Sequence, residues 1–185
     1  MGRLKFQKSN NDEAISELKQ ALDFYEKAVY RRETSLAFTL LGRAYQDKGE
    51  DETALKYFQE QFELVTKTAD ESGLADSHMN LAMLNGNQEQ YTEALSHLDE
   101  KLKIDESRNS ARGKAFDQIN RGKFLWQLGR YDEARAALDS ANEIANRQEA
   151  QLKTVVAWVH LIKARMALSQ LQYGEAKKRG RWLLI

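Results

Sequence analysis

The chain contains no proline and no cysteine, carries no net charge, and has only three histidines. Without cysteine, disulfides and thiolate–metal chemistry are excluded. Without proline, no helix loses an amide donor, so long unbroken helices are open to the chain. The charge balance, 28 Lys+Arg against 28 Asp+Glu, argues against a general nucleic-acid binder, which carries a basic excess or patch. No apolar run approaches the roughly 18 residues of a membrane-spanning helix. The opening residues, MGRLKFQKSNNDE, hold no apolar signal core. Neither Gly-x-Gly-x-x-Gly nor Gly-x-x-x-x-Gly-Lys-Ser/Thr occurs, so no phosphate-cradling loop is indicated. These absences favour a cytoplasmic protein without a membrane partner.

What is present is periodicity. In Leu41 to Phe58, LGRAYQDKGEDETALKYF, Phe38, Leu41 and Tyr45 fall at i, i+3 and i+7 and share one face of a helix. Gly42 and Ala54 are small enough for that helix and its partner to approach closely. The pattern recurs: Ala14, Ala54, Ala94, Ala134 and Ala176 follow one another at intervals of 40, 40, 40 and 42 residues. A second small residue stands twelve before each of these alanines, as Gly2, Gly42, Ala82, Gly122 and Ala164. Tyr91, Tyr131 and Tyr173 stand three before their alanines, and Leu18, Phe58, Leu98 and Leu138 four after.

Aromatic-x-x-Leu-Gly-x-x-Tyr followed by Ala-x-x-x-Phe resembles the tetratricopeptide repeat, with Phe38 in the place of the consensus Trp. The usual period is about 34 residues, with a proline near the end of the second helix. Here the longer period implies longer second helices, as in the 40-residue arrays of spindle and polarity adaptors and of bacterial regulators. The resemblance implies an all-α, right-handed superhelical solenoid of antiparallel helix pairs. Residues 1–185 read as one array, with a partial repeat at 1–33, repeats at 34–73, 74–110 and 111–148, and a partial repeat at 149–185. The first partial repeat pairs a helix ending near residue 8 with a second helix from Asp12 to about Arg32. Thr34 or Ser35 caps the next helix. In the last repeat a helix ends near Ser169, and a short one follows from Gly174. Both ends read as cut from a larger protein, and Trp182–Ile185 offers an apolar end for self-association.

In this family the first helices line a concave groove that holds partner peptides, and carrying over the groove positions gives the candidate site. One position supplies Arg3, Arg43, Met83, Lys123 and Arg165, which is basic in four of five repeats on a neutral chain. A basic ladder suits an acidic segment or a C-terminal carboxylate, since Arg can grip a carboxylate through two parallel hydrogen bonds. Neighbouring positions supply Thr39 and Met79, Asn80 and Asn120, and Gln46 and Trp126. Asn amides there can pin an extended backbone from both sides, and methionine suits adaptable recognition. Trp158 reads as core or inter-repeat packing.

Enzymatic chemistry has little support. His78, His97 and His160 are dispersed, with no HExxH-type spacing, and read as structural. Asp51-Glu52 and Asp132-Glu133 follow turns, where acidic residues favour a helix start. No catalytic residue, metal or cofactor is expected. The sequence thus points to a non-enzymatic module that binds an extended or helical, acidic protein segment, a signalling adaptor or scaffold. The alternative is a peptide- or small-ligand-sensing regulatory array of a larger signalling protein.

Overall fold

The computed structural model describes the backbone of residues 2–147 and 153–178, and the side chains of residues 11–147 and 153–171. The groove candidate Arg3 and the apolar end at Trp182–Ile185 lie outside the described side chains. Among the described residues every regular element is helical: α1 Gly2–Lys27, α2 Arg31–Asp47, α3 Asp51–Lys67, α4 Glu71–Asn87, α5 Tyr91–Ser107, α6 Ala111–Gln127, α7 Tyr131–Arg147 and α8 Lys153–Lys178.

Helices α2 to α7 are each 17 residues long. Successive ones start 20 residues apart, so two helices and two turns make the 40-residue period. First and second helices are therefore equal, and the expected lengthening of the second helices alone is not found. Six turns share one closure. The amide of the residue opening the next helix bonds back across the turn, as in Glu50 to the Tyr45 carbonyl and Asp70 to the Val65 carbonyl. This is the helix-ending arrangement that needs one left-handed residue. Gly49 and Gly129 supply it at φ 76° and 74°, but Val29, Ala69, Glu89 and Asn109 adopt it as well.

The ends differ from the expected breaks. Ser9 and Leu171 align with Gly49, yet α1 and α8 run through them as single helices of 26 residues. A left-handed turn without glycine costs roughly 1–2 kcal/mol. At Ala69 and Glu89 the burial of the flanking helices offsets that cost; at Ser9 and Leu171 the hydrogen-bond ladder simply continues. Thr34 and Ser35 do not cap α2, which begins at Arg31. Both are buried in its first turns, and the Thr34 hydroxyl donates to the Tyr30 carbonyl at 2.7 Å.

The chain divides into two compact units, Met1–Ile104 and Asp105–Ile185. In the first, α1 packs on α2, α2 on α3 and α3 on α4, while the two first helices α2 and α4 also meet. Its core gathers Ile15, Leu41, Tyr45, Ala54, Phe58, Leu81 and Leu84. Lys48, at the end of α2, holds Asp12 of α1 at 2.7 Å and Glu50 at 2.9 Å. In the second unit α6 packs on α7, α7 on α8 and α6 on α8. Ala115, Ile119, Leu138, Ala141, Ala145, Val155 and Val159 form its core. Within each unit, helices thus pack on their sequence neighbours and first helix meets first helix, α2 with α4 and α6 with α8, as in an α-solenoid.

The small residues do what their spacing predicts. A Cβ on Gly42 would fall against the Phe58 ring, 2.6 Å from Cδ1, and one on Gly122 would lie 2.9 Å from Leu138 Cγ. Gly42→Ala gains up to about 1 kcal/mol of helix propensity but overpacks the α2–α3 contact, which costs about 1–3 kcal/mol. Urea denaturation is expected to show a net loss of stability for Gly42→Ala, with part of it recovered in Gly42→Ala/Phe58→Leu.

Candidate functional site

In the first unit, α2 and α4 bound a groove of about 810 Å³ with α3 behind it. Arg31, Arg32, Leu36, Thr39 and Arg43 line it from α2, Gln61 and Val65 from α3, and Gly73 and Asp76 from α4. The α4 start is fixed by Asp70, whose carboxylate accepts the Gly73 amide at 3.0 Å. Of the sequence candidates, Thr39 and Arg43 fall in this groove. Thr39 is buried, and its hydroxyl donates to the Ser35 carbonyl at 3.2 Å. Arg31 and Arg32 were missed because the helix was expected to begin only at Thr34.

Asn80 is only 4% exposed. Its amide nitrogen donates to Gln61 Oε1 at 3.1 Å, and its oxygen accepts from Arg43 Nη2 at 3.1 Å. Both ends of the amide are thus used within the protein, linking α2, α3 and α4. Gln61 itself is 2% exposed, so this is a buried polar relay with Arg43 as its solvent-facing end. Met79 is half-buried and Met83 exposed on the same helix. Gln46 is half-buried, and its Nε2 has no hydrogen-bond partner among the described residues.

In the second unit, Lys123 of α6 is half-buried and sits over the Trp158 ring of α8, 5.5 Å from its centroid. Its Nζ lies 3.4 Å from Asn120 Oδ1. Burial pushes the Lys123 pKa down, and the nearby Arg165 charge adds to that. Lys123 and Arg165 therefore lie within electrostatic reach of one another. Trp158, expected in the core or in packing between repeats, is 53% exposed and meets Lys123 of the preceding first helix. With Leu161, Arg165 and Leu168 it forms an exposed stripe at i, i+3, i+7 and i+10 of α8.

Trp126 is placed elsewhere. Its ring lies 4.6 Å from that of Tyr131, in a pocket of about 240 Å³ lined also by Arg135, Asp139, Lys163 and Met166.

Several cations are paired with carboxylates. On the second helices and in the turns, carboxylates close by in sequence hold Lys27, Lys67, Lys103, Arg130 and Arg147, and Lys163 of α8 meets Asp139 of α7. Arg43, Lys123 and Arg165 have no carboxylate partner among the described residues; Arg43 and Lys123 contact amides and an indole instead.

Two of the three histidines do meet. His78 on α4 and His97 on α5 bring their Nδ1 atoms to 3.2 Å. Residues 19 apart face one another when each helix and its turn take 20 residues, a relation hidden until the helix lengths are known. Among the described residues no group of three or more His, Cys, Asp or Glu side chains could hold a metal ion. Nor is any described helix long and apolar enough to cross a membrane.

Two stretches match family models described as tetratricopeptide repeat, residues 33–107 and 118–148. No curated protein sequence matches the chain. Among solved structures it is similar to BtubC (BKLC) from P. vanneervenii, at 18% identity and a TM-score of 0.71, over 90% of this chain and 66% of that one. It is similar to the apo form of RapI, at 16% identity and a TM-score of 0.76, over 95% of this chain and 55% of that one. A putative kinesin light chain from Podosopora anserina, with nearly identical TPR-like repeats, gives 19% identity and a TM-score of 0.70, over 95% of this chain and 90% of that one. At these identities the likenesses speak to the fold, and the chain spans only 66% and 55% of the first two proteins.

The relay gives a direct test. Asn80→Ala leaves Gln61 with a buried unpaired amide oxygen, at a cost of about 1–3 kcal/mol. The loss in Asn80→Ala/Gln61→Ala is expected to be smaller than the sum of the two single losses by at least about 0.5 kcal/mol. Denaturation of the four proteins measures this, and strictly additive losses would remove the relay.

Proposed function

We propose that this chain, which belongs to the tetratricopeptide repeat family, binds an extended or helical acidic segment of a protein partner on its first helices, α2 and α4 in the first unit and α6 and α8 in the second. Repeats of this family build protein-interaction modules, and the acidic partner and the groove are the specific part of the reading. The observation that carries it is the setting of the three cations on the first helices. Arg43 and Lys123 contact uncharged groups, and Arg165, within electrostatic reach of Lys123, has no carboxylate partner among the described residues, so in this reading their charge is available to a ligand. A half-buried lysine beside a second cation is an unfavourable arrangement that an incoming anion relieves.

In this reading Arg43 meets the ligand carboxylates in the first unit, with Arg31 and Arg32 at the groove edge. Asn80 contributes by fixing Arg43, and Asn120 by standing beside Lys123. Trp158, Leu161 and Met83 add apolar contact. The groove also holds the acidic Glu33, Asp70 and Asp76, so in this reading the ligand carboxylates lie against the arginines and away from these groups. The same reading treats residues 1–185 as one array and as a cytoplasmic adaptor without catalysis, nucleic-acid binding or a membrane partner. Self-association through Trp182–Ile185 is compatible with it.

Fluorescence anisotropy with Asp/Glu-rich peptides and their Lys-rich counterparts tests the proposal. The wild-type chain is expected to favour the acidic set. Arg43→Glu/Lys123→Glu/Arg165→Glu, with helicity checked by circular dichroism, is expected to lose at least about tenfold in affinity, or about 1.4 kcal/mol. Equal binding of both peptide sets, or undiminished binding by the folded variant, contradicts it.

A further inference from the structure

His78 of α4 and His97 of α5 are two titratable side chains brought together from different helices, and the groove uses neither. At 3.2 Å between Nδ1 atoms, one ring donates its N–H and the other accepts on its lone pair. The contact survives on two neutral rings, or on one cationic donor and one neutral acceptor. It cannot survive on two cations, because both Nδ1 atoms then carry a proton.

The surroundings oppose even the first charge. His78 is only 9% exposed, and Phe62 of α3 packs edge-on to it at 5.4 Å between centroids. Burial lowers the pKa of both rings, and the proximity of His97 lowers that of His78 further. Of the charged groups on α3, α4 and α5, Glu100 of α5 is the one whose field favours protonated His78. Lys103 already engages that carboxylate at 2.7 Å. From α3 the facing group is the uncharged Phe62. No third ligand joins the pair among the described residues, so its chemistry is that of protons rather than of a metal.

We infer that His78 and His97 form a proton-sensitive latch between α4 and α5, closed when the rings share one N–H and opened by mild acid. α4 carries the relay residue Asn80 and the flanking Met79 and Met83, so opening the latch loosens one wall of the first-unit groove. The inference rests on the histidine contact alone and holds whatever the groove binds.

The direction follows from the lowered values. Above the ordinary histidine pKa, 6.5, both rings are neutral and the latch contributes fully. As pH falls through that value, the unfolded chain takes up protons that the folded pair resists. Stability therefore drops toward the lowered folded values and levels off beneath them.

Hydrogen–deuterium exchange, corrected for intrinsic rates and run in EDTA at pH 7.5 and 5.5, reads this helix by helix. The wild type is expected to lose protection severalfold in α4 and α5 at pH 5.5, with α2 and α7 little changed. His78→Phe, which keeps an aromatic ring, and His97→Gln are each expected to abolish that selective loss. If one variant fails to fold, the other decides. Unchanged wild-type protection between the two pH values, or the same α4 loss in a folded variant, overturns the latch.

Discussion

At Gly42 and Gly122 the first helix of a pair comes so close to the second that a single Cβ would collide with Phe58 or Leu138. Ala82 fills the same position in the intervening repeat and is fully buried. These small residues set the distance between partner helices. Once the helices are that close, Leu41, Phe58, Leu84 and Leu138 are shielded almost completely from water. Burying one such side chain is worth about 1.5–3 kcal/mol, which offsets non-glycine residues held in left-handed turns. Ala69 and Glu89 are tolerated at φ 51° and 61° on these terms.

The equal 20-residue steps have consequences beyond length. They return equivalent side chains to equivalent faces, so that a residue and one about 19 positions later meet across a helix pair. Asn80 finds Gln61 in this way, and His78 finds His97. The first pair makes a polar strut whose exposed end is Arg43; the second makes a contact that tolerates only some protonation states. Both engage α4, which joins groove geometry to the state of its buried polar groups.

Much of this was legible in the sequence, because the features concerned are periodic. The 40-residue spacing, the small residues and the apolar faces follow from positions in the chain. Residues whose roles depend on a neighbouring helix were harder to place. Asn80 has the spacing of a ligand-facing amide, but Gln61 and Arg43 occupy both its ends. Trp158 has the composition of a core residue yet stands half exposed with a lysine over its ring. The breaks expected near Ser9 and after Ser169 did not occur, because composition alone does not decide between a turn and a continued helix. Thr34 and Ser35 have the chemistry of caps, but α2 starts one turn earlier.

The charge pattern joins fold to function. Some cations find a carboxylate three or four residues away, as Arg130 finds Glu133 and Arg147 finds Glu143. Arg43, Lys123 and Arg165 stand on first helices and have no carboxylate partner among the described residues, and the proposal assigns their charge to a ligand. Hydrogen–deuterium exchange of the chain, free and saturated with an acidic peptide selected by affinity, tests this most directly. The account predicts new protection concentrated in α2, α4, α6 and α8, around Arg43, Lys123 and Arg165. Protection confined to α3, α5 and α7 would contradict it and move the binding surface to the second helices.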